Sequence, residues 1–358
     1  EIAAVCTVTY RDRDRVLACG HPLLNLGPTD LGMTTAEVHG LFPSLQESFK
    51  FATAGDEVGA FRQDRSTGIQ GYIGKRPRMI PVRLELQSDH GPAQRFAFDI
   101  AEDPFLAPYL LYAALNGVLS SQEKDYGSVT IAYKDGSTIK VAGEDDIVLK
   151  NLFSGDLATL YASGTVAFLT QILLNNEYHP VHIEGINLIL GYSDEQRTAR
   201  VERAWVSRDR ARAGETVEVS VSLKPFRGPE VTRQIDVKIP EGVQPGRLLL
   251  QIGDAVALAR ADTDDEDFTP RDLSQLIWLI NHLRSNSTLY AVLTRSDNGI
   301  VFQGERLPNL PPSIAQVMVR PQTRGNYLRL FYRGVAEESL EIGAMLDGYK
   351  LLTIDVEE

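Results

Sequence analysis

With 358 residues, 43% of them hydrophobic and 23% charged, the chain has ordinary globular composition and room for two or three domains of ~100–200 residues. A net charge of −12 repels phosphate backbones and excludes nucleic acid as a natural partner. No stretch reaches the ~18 uninterrupted apolar residues of a membrane helix. Phe105–Leu119 and Leu157–Leu174 come nearest, and Pro108, Asn116, Ser163, Gly164 and Gln171 interrupt them.

The chain opens at Glu1, without Met and without a signal peptide, directly in a strand-like pattern of Ile2, Val5 and Val8. Such a start reads as a processing site, an artificial boundary or the first ordered residue. Ala3–Gly20 then reads as a β-hairpin. With Asp12-Arg13 as its two-residue turn, Cys6 faces Cys19 and Val8 faces Leu17. That is a non-hydrogen-bonded pair, where side chains approach most closely. A cross-strand disulfide is sterically possible there and fits an extracytoplasmic compartment. The alternative is two small buried thiols on a core face.

Thr34–Leu45 is expected to hold one short helix. Val58–Phe61, Gly68–Ile73, Val82–Leu86 and Arg95–Ile100 read as strands. Asp103-Pro104 opens a helix reaching Ser120, with Asp as N-cap and Pro in the first turn. Tyr126–Tyr133 and Thr138–Ala142 flank Asp135-Gly136 and read as a hairpin. A second helix is expected over Asp156–Leu174. Strands follow at Val181–Leu190, Ala199–Ser207, Thr216–Leu223, Val231–Ile239 and Arg247–Ile252. Their short, regular spacing suggests an immunoglobulin-like β-sandwich. Thr269-Pro270-Arg271-Asp272 opens a third helix with Thr269 as N-cap and Leu273, Leu276, Ile277, Ile280 and Leu283 on its apolar face. Leu289–Thr294, Tyr327–Tyr332 and Tyr349–Val356 read as the last strands.

Two constellations stand out. Cys19-Gly20-His21-Pro22 places a histidine at a strand end on a rigid turn, where an imidazole can serve as a general base. A hydrogen-bonded structural histidine is the plain alternative. Arg62–Gly71 combines charges, hydroxyls and two glycines at a strand entry. Its plain reading is a tight turn in which Asp64 and Ser66 bind local backbone amides.

Together, Thr7-Val8-Thr9-Tyr10, Gly20-His21 and Gly68-Ile69-Gln70-Gly71 resemble the SpoIVB-type (sporulation stage IV B) serine peptidases, over about residues 1–100. The Gly-His-Pro form with a downstream Asp-Arg-Ser-Thr-Gly-Ile is similar to the larger secreted bacterial relatives. The resemblance implies a chymotrypsin-like β-barrel half and gives His21 the role of general base. In that family the base acts on a serine held in a Gly-Met-Ser-Gly-Ser-Pro elbow, with amide donors for the oxyanion. The chain has no such elbow. Its nearest serine-glycine pairs, Ser154-Gly155 and Ser163-Gly164, do not resemble one, and Asp64, Asp89 and Asp99 are uncommitted as the acid. Either the serine half precedes Glu1 in a longer precursor, or it has been lost and the scaffold only binds.

Other sites carry less. Five carboxylates in Asp262–Asp267 suit a solvated linker better than calcium, since the EF-hand spacing and glycine are missing. His179 and His182 lie three apart in a strand and point to opposite faces, which argues against joint metal ligation. Tyr327, Phe331, Tyr332 and Tyr349 read as core aromatics or a binding patch. Trp205 and Trp278 fall in apolar patterns that suggest core, against a carbohydrate module.

The expected fold is mainly β with α+β elements: a β-barrel-like N-terminal domain over 1–100, an α+β layer over 101–178, an immunoglobulin-like β-sandwich over 179–260 and a C-terminal α+β module over 261–358. The expected function is the C-terminal portion of a secreted, extracytoplasmic SpoIVB-like serine peptidase, inactive as isolated. A non-catalytic secreted interaction or assembly subunit is the alternative. No cofactor and no metal is expected. The expected partners are a protein or peptide, an upstream serine-bearing half or identical copies.

Overall fold

The computed structural model describes residues 3–45, 48–89, 91–121, 128–262, 270–296, 300–302, 305–307, 311, 314, 327–329 and 332–358. The protein is mainly β with a few helices. The first sheet contains β1 (Val8–Asp12), β2 (Arg15–Ala18), β3 (Gly27–Phe42), β4 (Phe49–Arg65) and β5 (Gly68–Ile73), in the order β1-β2-β5-β4-β3. The β1–β2 turn is Arg13-Asp14, one residue later than the sequence suggested, since Asp12 pairs with Arg15. Arg13 takes the left-handed conformation there (φ 55°). The helix expected over Thr34–Leu45 does not form. Most of that segment belongs to β3, whose outer part pairs with β4 from Ala36↔Ala54 to Phe42↔Phe49. The sheet curls, so that Lys50 on β4 donates to the Thr7 hydroxyl just ahead of β1, three strands away in the sheet order.

The second sheet is built from β6 (Met79–Ser88), β7 (Gln94–Ala101), β8 (Val129–Tyr133), β9 (Thr138–Val141), β10 (Ile147–Val148), β11 (Leu152–Gly155) and β12 (Ile183–Ser193). It therefore draws in 79–101, expected in the first domain, and 183–193, expected in the sandwich. Parallel β6–β12 pairing joins them. The expected β8–β9 hairpin is absent. Both strands pair with β12, β8 along Leu190–Ser193 and β9 along Ile183–Asn187, so they lie in series on one side of it. The Asp135-Gly136 turn only jogs the chain. Buried Ser137 bridges the gap, its hydroxyl donating to the Ile189 carbonyl and accepting from the Ile189 amide.

Helices α1 (Leu106–Ser120) and α2 (Ala158–Leu174) cover this sheet. Asp103 starts α1, its carboxylate accepting from the amides of Phe105 and Leu106. The core joins Ile80, Val82, Leu84 and Leu86 of β6 to Leu111, Leu115 and Leu119 of α1 and to Val166 and Leu173 of α2.

The remaining strands form a β-sandwich. One sheet has β13 (Thr198–Val206), β15 (Thr216–Pro225), β16 (Val231–Lys238) and β23 (Met345–Asp347). The other has β14 (Arg210–Arg212), β17 (Gly246–Gly253), β18 (Thr288–Ser296), β22 (Tyr332–Glu341) and β24 (Tyr349–Glu357). Val217, Val219, Val221 and Leu223 meet Leu248, Leu250, Ile252, Leu293 and Ile354 between them. The C-terminal strands thus complete the sandwich and are no separate module. They are needed because β17 would otherwise present an unpaired edge, and β18 and β24 flank it. Three short strands, β19 (Ile300–Phe302), β20 (Glu305–Leu307) and β21 (Tyr327–Arg329), form a small fifth sheet.

Helix α3 (Ala255–Asp262) follows β17, and α4 (Leu273–Asn281) returns to the second sheet, where Leu273 and Ile277 enter its core. Asp272, not Thr269, caps α4 by accepting from the Gln275 amide, while the Gln275 side chain accepts from the Arg271 amide. Thr269 lies outside the described residues. Leu283, placed on the helix's apolar face by periodicity, is exposed past its end, and Trp205 on β13 and Trp278 within α4 are exposed as well. Trp278 stacks on His282 at 4.1 Å, so neither tryptophan is core.

Candidate functional site

The two sequence features meet in the first sheet. Strand β2 pairs with β5, putting Ala18 opposite Ile69 and Val16 opposite Gly71. Gly68 (φ 140°) sits where any Cβ would lie 2.8 Å from the Ala18 carbonyl oxygen. Only glycine permits that approach. The Gly20-His21 turn and the Gly68–Gly71 strand are therefore one packed unit.

Cys6 and Cys19 are joined by a disulfide, with Cα atoms 4.9 Å apart. The Cys19 amide donates to the Thr7 carbonyl. Cys19 and Gly20 both adopt left-handed backbone (φ 75° and 72°), which turns the chain sharply and presents His21 to solvent. A disulfide spanning 13 residues is worth about 3 kcal/mol through the restricted unfolded chain. The Cys6→Ala/Cys19→Ala variant is expected to melt lower by that amount, and reductant should move the wild type alone. Equal melting of the two proteins in oxidising buffer would contradict this.

The His21 Nδ1 lies 2.8 Å from the Pro22 carbonyl. A carbonyl oxygen only accepts, so Nδ1 carries the proton and the neutral ring keeps Nε2 as its basic nitrogen. That is the tautomer a general base needs. The bond is local to a His-Pro pair, and His179 makes the same contact with Pro180 at 3.2 Å. No carboxylate among the described residues pairs with His21.

Asp64 holds the loop after His21. Its carboxylate accepts from the amides of Leu23 (2.8 Å), Leu24 (2.8 Å) and Leu26 (3.2 Å), and the side chain is fully buried. Burial pushes this carboxyl up, but the amides of Leu24, Leu23, Leu26 and Asn25 outweigh it and hold it below the ordinary carboxylate value. The sequence marked Asp64 as an amide acceptor in its own turn. Its partners instead lie about 40 residues earlier in the chain, which makes it a positioning group for the His21 loop. Beside this unit a shallow cleft of about 500 Å³ opens between Thr9, Leu17, Gln63, Arg65, Thr67 and Gln70.

The other candidates disperse. Asp89 pairs with Arg197, and Asp99 is exposed on β7. Ser154 shares a hydrogen bond with Thr130 and accepts from the Arg197 amide. Ser163 is buried inside α2. His179 faces Glu144, and His182 faces Glu102. Among the described residues no three metal-ligating side chains gather. Residues 263–267 of the acidic run and Phe331 lie outside the described residues.

Two features had no readable signal in the sequence. Buried Glu102 accepts from His182 Nδ1 at 2.7 Å and from the Ile183 amide. Together with Arg78, Asp30 and Arg62 it forms an ion-pair network between the first and second sheets. A groove of about 790 Å³ runs between β13, β15 and α3, lined by Phe226, Val256, Tyr349, Arg200 and Lys224 among others. Both draw on segments far apart in the chain.

The fold and site define a multi-sheet β protein with a disulfide-braced histidine turn. No family model, curated protein or solved structure matches the chain. No helix among the described residues is long and apolar enough to cross a membrane.

Proposed function

We propose that the chain is the histidine-bearing, C-terminal portion of a secreted SpoIVB-like serine peptidase. His21 is the general base for a serine supplied from outside these 358 residues. The supporting observation is that the turn carrying Gly20 and His21 lies beside the Gly68–Gly71 strand, through the β2–β5 ladder and the close approach of Gly68 to Ala18 and Gly20. Asp64 and the disulfide fix the turn, and the basic Nε2 is left toward solvent. By itself the chain is inactive. Co-expression with the coding sequence upstream of Glu1 should yield material that a fluorophosphonate labels on a serine outside this chain and that cleaves casein. His21→Ala should abolish cleavage with the melting temperature unchanged. Retained cleavage in that variant, or no labelling at all, would overturn the proposal.

A second reading, a non-catalytic secreted interaction subunit, is supported by the uncovered apolar surface of the first sheet. Val38, Leu41, Phe42, Phe49 and Phe51 are all more than half exposed on the outer part of β3 and β4. On that reading the sandwich is an immunoglobulin-like interaction module.

A further inference from the structure

Helices α1 and α2 contain 15 and 17 residues without a single Asp, Glu, Lys or Arg. Their inner faces fill the core of the second sheet. Their outer faces are uncharged and mostly apolar, with Phe105, Tyr109, Leu157, Leu160, Tyr161 and Phe168 each 43–64% exposed beside the polar Ser120 and Gln171. An ordinary surface helix is charged on its outer side. A helix apolar all round is one that something else buries, and no described element of the chain covers this pair.

Three observations point to the occupant. The first is charge. A chain of net charge −12 meets repulsion when it approaches its own kind, and this face is free of charge. The lack of Lys and Arg on it disfavours an anionic lipid surface, which recruits basic residues. The second is spacing. Positions 109, 112 and 116 on α1, with 105 just ahead of it, and 161, 164 and 168 on α2, with 157 just ahead of it, follow the 4-3-4 step of helix seams that interlock with other helices. None of these eight is fully buried. The third is size. Seventeen residues at 1.5 Å each make α2 ~25 Å long, and two helices ~10 Å apart are ~20 Å wide. The footprint is thus ~500 Å² per copy and ~1,000 Å² in total, just at the area a biological interface needs.

We infer that the α1–α2 face docks on the same face of a second copy, giving a two-fold dimer with a four-helix interface. This contact is independent of the His21 chemistry, so its failure would leave the peptidase proposal standing.

Sedimentation equilibrium of the full chain from 1 to 200 µM in 0.15 M NaCl tests it. A concentration-dependent dimer is expected. Phe168→Glu should weaken it at least ~30-fold, the effect of losing a central apolar anchor. Trp205→Glu, at another exposed aromatic but on the sandwich, should leave it unchanged. Circular dichroism and melting of Phe168→Glu should match wild type, because the side chain is already exposed. Tyr161→Glu provides a second variant should the first misfold. A monomer throughout the range would overturn the inference. So would a dimer indifferent to both glutamates, which would place the contact elsewhere. Flotation of a monomeric wild type with phosphatidylcholine vesicles, lost in Phe168→Glu, would assign the face to lipid and overturn it equally.

Discussion

Replacing Asp64 by asparagine is expected to cost about 2–3 kcal/mol and to loosen residues 21–26 before the rest of the protein unfolds. The carboxylate is fully buried and spends both oxygens on the amides of Leu23, Leu24 and Leu26. Asparagine keeps one acceptor and turns an N–H₂ toward amides that themselves donate, leaving donors unsatisfied in a buried place. Hydrogen exchange should show faster exchange at Leu23, Leu24 and Leu26 than at β4 and β5. The pH dependence carries the same signature. The folded-state pKa of Asp64 lies below its ordinary value, so its contribution is complete above the unfolded pKa of ~3.9. It is lost as pH falls through the lower folded value. The stability gap between wild type and variant should be constant from pH 5 upward and close progressively below pH 4. A gap that persists at pH 2, or amides at 23–26 exchanging as slowly as in wild type, would contradict the assignment. On the peptidase proposal, Asp64 acts on His21 through the loop its carboxylate holds, and the variant should lose activity in step with loop opening.

What was legible in the sequence is what local chemistry dictates. Gly68–Ile73 emerges as β5 with the bounds its pattern suggested, and the alternation of Val217, Val219, Val221 and Leu223 became the core of the sandwich. Asp103 before Pro104 marked a real helix start. The larger failures are nonlocal. Thr34–Leu45 mixes threonine, alanine, glutamate and leucine in a pattern that either periodicity tolerates. Its strand state comes from β4, whose partner residues begin only at Phe49. The Asp135-Gly136 turn looked like a hairpin because nothing local reveals that β12, some 50 residues later, accepts both flanking strands on one side. The sandwich was cut short for the same reason, since β24 pairs with β17 across about 100 residues.

The site was legible to a different depth. His21 and the Gly68–Gly71 segment could be singled out separately, and only the β2–β5 ladder shows that the turn before His21 lies beside that segment. Asp64 was marked as an amide acceptor with the wrong amides. His182 and Glu102 gave no signal together, for a histidine in a strand and a glutamate before a helix are common. Their meeting depends on how β12 runs beside β6.

The glycines of the first sheet give the second large effect. Gly59 on β4 faces Ile73, and a Cβ built there would fall 2.2 Å from the Tyr72 carbonyl oxygen and 2.5 Å from the Met33 methyl. Met33 can rotate away, but the carbonyl belongs to the β5 backbone and cannot. Gly71, one strand over, is closed in by the Ala60 carbonyl at 2.8 Å and by Phe61 at 2.9 Å. The central ladder is thus packed to backbone contact on both strands, which lets a sheet with few buried apolar side chains hold its curl. Gly59→Ala must push β4 and β5 apart, and it is expected to cost about 3 kcal/mol or more, at the top of the range for overpacking. Gly40→Ala, on the outer part of β3 where a Cβ meets nothing within 4 Å, should change stability by less than about 0.5 kcal/mol. Denaturant melts of the two variants separate the alternatives. If both are neutral, the first sheet is looser than its geometry states. If Gly59→Ala alone unfolds the region, and hydrogen exchange rises at residues 15–18 and 68–73 while the sandwich stays protected, the His21 turn and its glycine strand fold as one cooperative unit. The disulfide and Asp64 then act on that unit, and the second sheet and the sandwich stand without it.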